Sequence, residues 1–179
     1  GRTWERYALV KAKLLGTYED YGDYGAELIS LLKPFVYRRY LDYGAVQSLR
    51  KLKHMIESEV RRRSLNNNFK LGQGGIREVE FIAQVFELMR GGRFEELRER
   101  SLRKTLKNIR ALDLLPENIC TLLDDCYVYL RRLENVIQEF SDKQTQTLPD
   151  NEKDCARMLV AMNYQDKETF LHDLDEVMR

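Results

Sequence analysis

Gly72, Gly74 and Gly75 crowd the segment between Lys70 and Arg77, and the chemistry such a stretch can offer is the binding of an anion. Glycine tolerates positive φ and lets other groups approach the backbone closely, so a tight turn here can present bare N–H groups. The helical pattern that follows begins with unpaired N–H donors and the positive end of a helix dipole. Lys70 and Arg77 bracket the turn with two further positive charges, and a phosphate fits that description. A second use of the same residues stays open: Gly74 and Gly75 permit a sharp entry into a buried helix.

Projected at helical periodicity, Ile76, Val79, Ile82, Ala83, Phe86 and Met89 form one apolar face, with Arg77, Glu80, Gln84 and Glu87 on a polar stripe. Glu78 fits neither, because it shares a row with Phe81, Val85 and Leu88. A carboxylate directed at an apolar surface must be paired, hydrogen-bonded or part of a site. Just upstream, Arg61, Arg62 and Arg63 close a long helical pattern that starts at Gly44. They suit a helix C-terminus, and equally they place arginines where they can pair with Glu78 or Glu80 or face a phosphate.

These residues need a helical frame. The chain has 179 residues, 43% of them hydrophobic and 33% charged, with a net charge of +1 and three prolines, the profile of a helix-rich domain with one solid core. The spacing predicts helices over Trp4 to Leu15, Ala26 to Lys33, Phe35 to Tyr40 after a restart at Pro34, Gly44 to Arg63, Gly75 to Met89 and Ser101 to Ala111. Three more follow, over Glu117 to Phe140, Cys155 to Met162 and Lys167 to Met178. Gly91 and Gly92 suit a helix C-cap, and Ser101 an N-cap. The expected fold is all-α, an antiparallel, up-and-down four-helix bundle with additional short helices. The expected parts are lead-in helices over 1–43, a bundle core over 44–140 that contains the turn, and a C-terminal loop with short helices over 141–179.

Near-neutral charge argues against a dedicated nucleic-acid binder. No apolar run has the length to span a bilayer, and no signal-peptide pattern opens the chain. Cys120, Cys126 and Cys155 have no metal-ligand spacing, and their odd number suits reduced thiols in the cytoplasm. His54 and His172 stand apart as surface residues.

The stretch Lys70 to Phe81 resembles the signature of glutamine synthetase adenylyltransferase, the bifunctional enzyme that adds AMP to glutamine synthetase and removes it. Further matches are Trp4-Glu-Arg-Tyr-Ala8, Phe35-Val-Tyr-Arg-Arg-Tyr-Leu41, Glu59-Val-Arg-Arg-Arg63, Arg90-Gly-Gly-Arg93, Leu130-Arg-Arg-Leu-Glu134 and Gln144-Thr-Gln-Thr-Leu-Pro149, in family order along nearly the whole chain. Of the family's two homologous halves, the adenylyl-removing one is the better match. The adenylylating half usually has glutamine where Tyr7 sits, and a non-basic residue followed by aspartate where Arg77 and Glu78 sit.

The resemblance implies phosphorolysis, in which inorganic phosphate attacks the AMP–tyrosine phosphodiester on glutamine synthetase and releases ADP. It implies Mg2+ held by carboxylates of a nucleotidyltransferase palm upstream of Trp4, since no Gly-Ser motif followed by a paired Asp-x-Asp strand occurs here. The chain is then expected to be a fragment, inactive alone, that packs beside the palm. Lys70, the Gly72 to Gly75 turn and Arg77 are the phosphate and nucleotide candidates, with Glu78, Glu80, Arg61, Arg62 and Arg63 orienting them. Expected partners are glutamine synthetase, the PII signal protein, ATP, ADP and phosphate, with no nucleic acid and no membrane. An alternative is a regulatory or docking module for glutamine synthetase or PII with no direct role in the active site.

Overall fold

The computed structural model describes residues 3–13, 15, 22, 24–38, 43–62, 68–141 and 145–179. Among them every regular element is helical: α1 (Thr3–Leu9), α2 (Tyr24–Val36), α3 (Tyr43–Arg62), α4 (Ile76–Arg90), a 3-10 turn (Glu95–Leu97), α5 (Leu102–Ala111), α6 (Glu117–Ser141), α7 (Glu152–Met162) and α8 (Lys167–Val177). No helix among the described residues is long and apolar enough to cross a membrane.

Local chemistry sets the helix ends. Asn151 and Asp166 cap α7 and α8 through side chains that accept the N–H of Asp154 and Thr169, each at 2.8 Å. Asn163 ends α7 in the left-handed region at φ 68°. Ser101 does occupy the N-cap of α5, but its side chain makes no capping bond; its carbonyl instead takes the N–H of Thr105 at 2.9 Å. Pro34 does not split the second helix, because α2 runs through it to Val36. The first helix stops at Leu9, short of the expected Leu15.

The contacts divide the chain into two compact units, one of Gly1–Met55 with Ile82–Pro116 and the other of Ile56–Phe81 with Glu117–Arg179. In the first, Val10, Val36, Leu49 and Leu88 form a buried cluster flanked by Tyr7, Phe35, Tyr37, Val85 and Met89. Arg6, only 3% exposed, is drawn into this interior by the end of α2: its Nε and Nη2 both donate to the Val36 carbonyl, at 3.1 and 2.8 Å. Burial lowers the guanidinium pKa, and the neighbouring Arg38 lowers it further.

Gly91 directly follows the last residue of α4, the expected C-cap position, but neither it nor Gly92 has the positive φ of a left-handed cap. At Gly91 the requirement is space: a Cβ would stand 2.8 Å from Cδ1 of the Tyr37 ring and 2.4 Å from the Glu87 carbonyl. Arg98 covers the same ring, 5.6 Å from its centroid, and donates from Nε to the Gly91 carbonyl at 2.7 Å.

The core of the second unit joins Phe69 and Ile76 to Leu130, Leu133 and Ile137 of α6, Met158 and Met162 of α7, and Phe170 and Leu174 of α8. The turn before α4 therefore belongs to a core completed by the last helices of the chain. Tyr164 stands edge-on to Phe170, its hydroxyl donating to Asp173 at 2.8 Å and lying 3.2 Å from that of Tyr129. Cys120, Cys126 and Cys155 are not joined in disulfides, and the Cys155 thiol donates to the Pro149 carbonyl at 3.0 Å.

Candidate functional site

The glycine turn is closed by its own chain. Asn68, 6% exposed, accepts the N–H groups of Lys70 and Leu71 on Oδ1 at 3.0 and 2.9 Å, and its carbonyl accepts that of Gly72 at 2.6 Å. The Phe69 carbonyl then takes the N–H of Ile76 at 3.2 Å, and the Lys70 carbonyl that of Arg77 at 2.9 Å. Gly75 takes its place by donating to the Gly72 carbonyl at 3.1 Å and accepting from Glu78 and Val79 at 2.9 and 3.4 Å. The first-turn donors of α4, expected to be free for an anion, thus already have partners.

Glu78 accounts for itself in the same way. Its Oε2 reaches back to the N–H of Gly74 at 2.8 Å, as an acid in a helix's first turn does when it closes the turn before it. The carboxylate that fitted neither face of the helix serves the turn.

Both closely packed glycines are required by space. Gly74 has φ +70°, and a Cβ there would fall 1.8 Å from the Met178 carbonyl oxygen. At Gly75 the added carbon would meet three backbone oxygens, those of Phe69, Gly72 and Lys70, at 2.7, 2.9 and 3.0 Å. The Asn68 side chain anchors this arrangement. Asn68→Ala removes the acceptor of two backbone donors and is expected to destabilise the chain by about 1–2 kcal/mol. Urea unfolding, with faster amide exchange at Lys70 and Leu71, checks it.

The side chains supply what the backbone does not. Lys70 Nζ stands 2.9 Å from Glu134 Oε1, an ion contact outside hydrogen-bonding alignment. Arg131 donates to Oε2 of the same carboxylate. Glu134 is 2% exposed, whereas the side chains of Lys70 and Arg131 are 29% and 42% exposed, so one buried anion holds two partly exposed cations. Tyr127 lies in the same field; burial raises its pKa, Arg131 lowers it, and Glu80 and Glu134 raise it. Arg77 is the most open of the group, its side chain 56% exposed and 3.9 Å from Glu80.

Of the other expected residues, Arg61 and Arg62 are exposed, and Arg62 pairs with Glu59 of its own helix at 2.8 Å. Arg63 lies outside the described residues. Among the described residues no group of three or more His, Cys, Asp or Glu is arranged to hold a metal ion. The acids nearest the turn do not suit a divalent cation: both Glu134 oxygens face cations, and Glu78 holds an N–H.

A family model described as GlnD PII-uridylyltransferase matches residues 50–179, which include the turn, Lys70, Arg77, Arg131 and Glu134. The chain belongs to that family. It is also 52% identical over 178 residues, 99% of its length, to the bifunctional glutamine synthetase adenylyltransferase/adenylyl-removing enzyme of Psychromonas ingrahamii. The chain spans 18% of that relative's length.

Within this GlnD-family segment, Arg131 and Glu134 are site residues that the sequence presented only as part of the Leu130 to Glu134 match. Their three-residue spacing signalled an ion pair on one helix face. That the acid also reaches Lys70, far away in sequence, needed the fold.

Proposed function

We propose that this chain is the helical domain of the adenylyl-removing half of an enzyme that controls glutamine synthetase by adding and phosphorolytically removing AMP. What supports this reading is the 52% identity over 99% of the chain to an enzyme named for both activities. In this reading a nucleotidyltransferase palm elsewhere in the protein holds Mg2+, and the helical domain packs against it without catalysing the reaction alone. In this reading the long helices belong to an up-and-down four-helix frame. The protein works in the cytoplasm on glutamine synthetase, with ATP, ADP, phosphate and PII as its further partners.

The part played by the site follows from which groups are spent and which are open. The turn's backbone fixes the position of Lys70 and the start of α4, so the side chains of Lys70 and Arg77 are the groups offered to phosphate or nucleotide. Glu134 and Glu80 orient cations beside them. Anionic groups meeting at one point in phosphorolysis require such preorganised positive charge.

Arg77 is the clean test, since an exposed side chain can be removed with little effect on stability. In the full-length enzyme, Arg77→Ala is expected to slow phosphate-dependent AMP removal about tenfold or more, with a raised KM for phosphate and unchanged adenylylation. Normal AMP removal would defeat the assignment.

A docking role has its own observation. Tyr24, Leu28 and Leu31, spaced to share one side of α2, are 76%, 44% and 66% exposed. If that role is the right one, Leu28→Asp raises the KM for adenylylated glutamine synthetase or removes the PII response, and Arg77→Ala changes neither.

A further inference from the structure

Glu87 was expected on the polar stripe of its helix, and the structure buries it completely, at 0% exposure. Its Oε1 lies 2.8 Å from the Thr105 hydroxyl of α5, and its Oε2 has no hydrogen-bond partner. Thr105 is itself fully buried, and its hydroxyl also lies 3.2 Å from the Ser101 carbonyl.

A threonine hydroxyl has one proton to give and lone pairs to receive. Facing a carboxylate and a carbonyl, it can serve only one of them. Facing a carboxylic acid and a carbonyl, it serves both: Glu87 donates to Thr105, and Thr105 donates to Ser101. The orphaned Oε2 points the same way, because an unpaired neutral oxygen costs far less in an interior than an unpaired charged one.

Among the described residues no cation forms an ion pair with the acid. The ionisable groups acting on Glu87 are Lys11, which favours its charge, and Glu99, which opposes it. Lys11 directs its Nζ to the Arg100 carbonyl at 3.4 Å. Tyr37 feels Glu87 in turn; burial first and then this carboxylate push its phenol up to about 12, against the pull of Arg98 and Arg100.

We propose that Glu87 is held as a neutral acid whose proton bridges α4 to Thr105 of α5, and that losing this proton loosens the contact and makes the first unit pH-sensitive. The environment supports it: burial raises the acid from 4.5 to about 7, outweighing the Thr105 hydrogen bond and Lys11. The folded state then binds the proton more tightly than the unfolded chain. The stability tied to it is complete below the unfolded value of 4.5, is lost progressively as pH rises towards about 7, and is level above that. Across that window the folded-to-unfolded ratio falls roughly a hundredfold or more from this group alone.

Infrared difference spectra and thermal melts of this chain between about pH 5 and pH 8 test the proposal. At the acid end the wild type should show a protonated-carboxyl band that Glu87→Gln lacks, fading as pH rises through neutrality. Glu87→Gln should also flatten the pH dependence of Tm by holding its value at the alkaline end. Thr105→Val removes the acceptor and should shift the band, which keeps the test decisive should the first variant fold poorly. Identical spectra in wild type and Glu87→Gln, an unchanged Tm profile, or a band that Thr105→Val leaves in place would each overturn it.

Discussion

Gly74→Ala is expected to destabilise this chain by about 3 kcal/mol or more, the largest loss from any single methyl group in the turn. Two costs combine. At φ +70° an L-residue is strained by about 1–2 kcal/mol. The new carbon would also stand 1.8, 2.3 and 2.6 Å from the carbonyl oxygen, carbonyl carbon and Cα of Met178, backbone atoms that cannot rotate away. Relief requires lifting the end of α8, where Val177 and Met178 pack on the core cluster.

Gly22 separates the two costs. It also has positive φ, +48°, but nothing lies within 4 Å of the position a Cβ would take. Gly22→Ala should therefore cost about 1 kcal/mol, from strain alone. Urea midpoints of the two variants measure the difference, and amide exchange should locate the Gly74→Ala damage in α8 and the turn. Equal losses in both would mean that Met178 does not sit against the turn as described.

That contact also marks the boundary of what could be read from the sequence. Periodicity and punctuation placed the long helices to within a residue or two, because an apolar stripe and a glycine or capping residue are local signals. Pro34 was misjudged, for proline removes one N–H but α2 retains enough other bonds and packing to run through it. Glu78 stood out from its helix face, and its partner proved to be the turn itself. Glu87 fell on the polar stripe by pattern, yet Thr105 and the surrounding packing enclose it.

The glycine turn was the most ambiguous stretch, since an anion cradle and a tight structural turn demand the same residues. Which one forms depends on whether Asn68, Glu78 and nearby carbonyls take the N–H groups first. Hydrogen bonds between residues a few positions apart decide that, and composition does not report them. The Lys70–Glu134 contact was illegible for a different reason: it joins the turn to α6, and their approach is set by the whole core around Phe69 and Leu133.

Lys70→Met should cost about 2–3 kcal/mol at neutral pH, less than for a fully buried pair because the lysine side chain is 29% exposed. The loss arises on the other partner. Glu134 remains in the interior with Arg131 on one oxygen and no cation at Oε1, so the cost is that of an undercompensated buried charge. Removing that charge should recover much of the stability: Lys70→Met with Glu134→Leu should lose less than the two single changes added together, since Arg131 is exposed enough to be solvated alone. A double-mutant cycle in urea measures this. The same pair of variants divides scaffold from chemistry, because the double variant regains the fold without regaining the ammonium. Under the function proposed above, if Lys70 only pins the turn to α6, AMP removal by the full-length enzyme should return with stability; if it also meets phosphate, the refolded protein should stay slow and its KM for phosphate high.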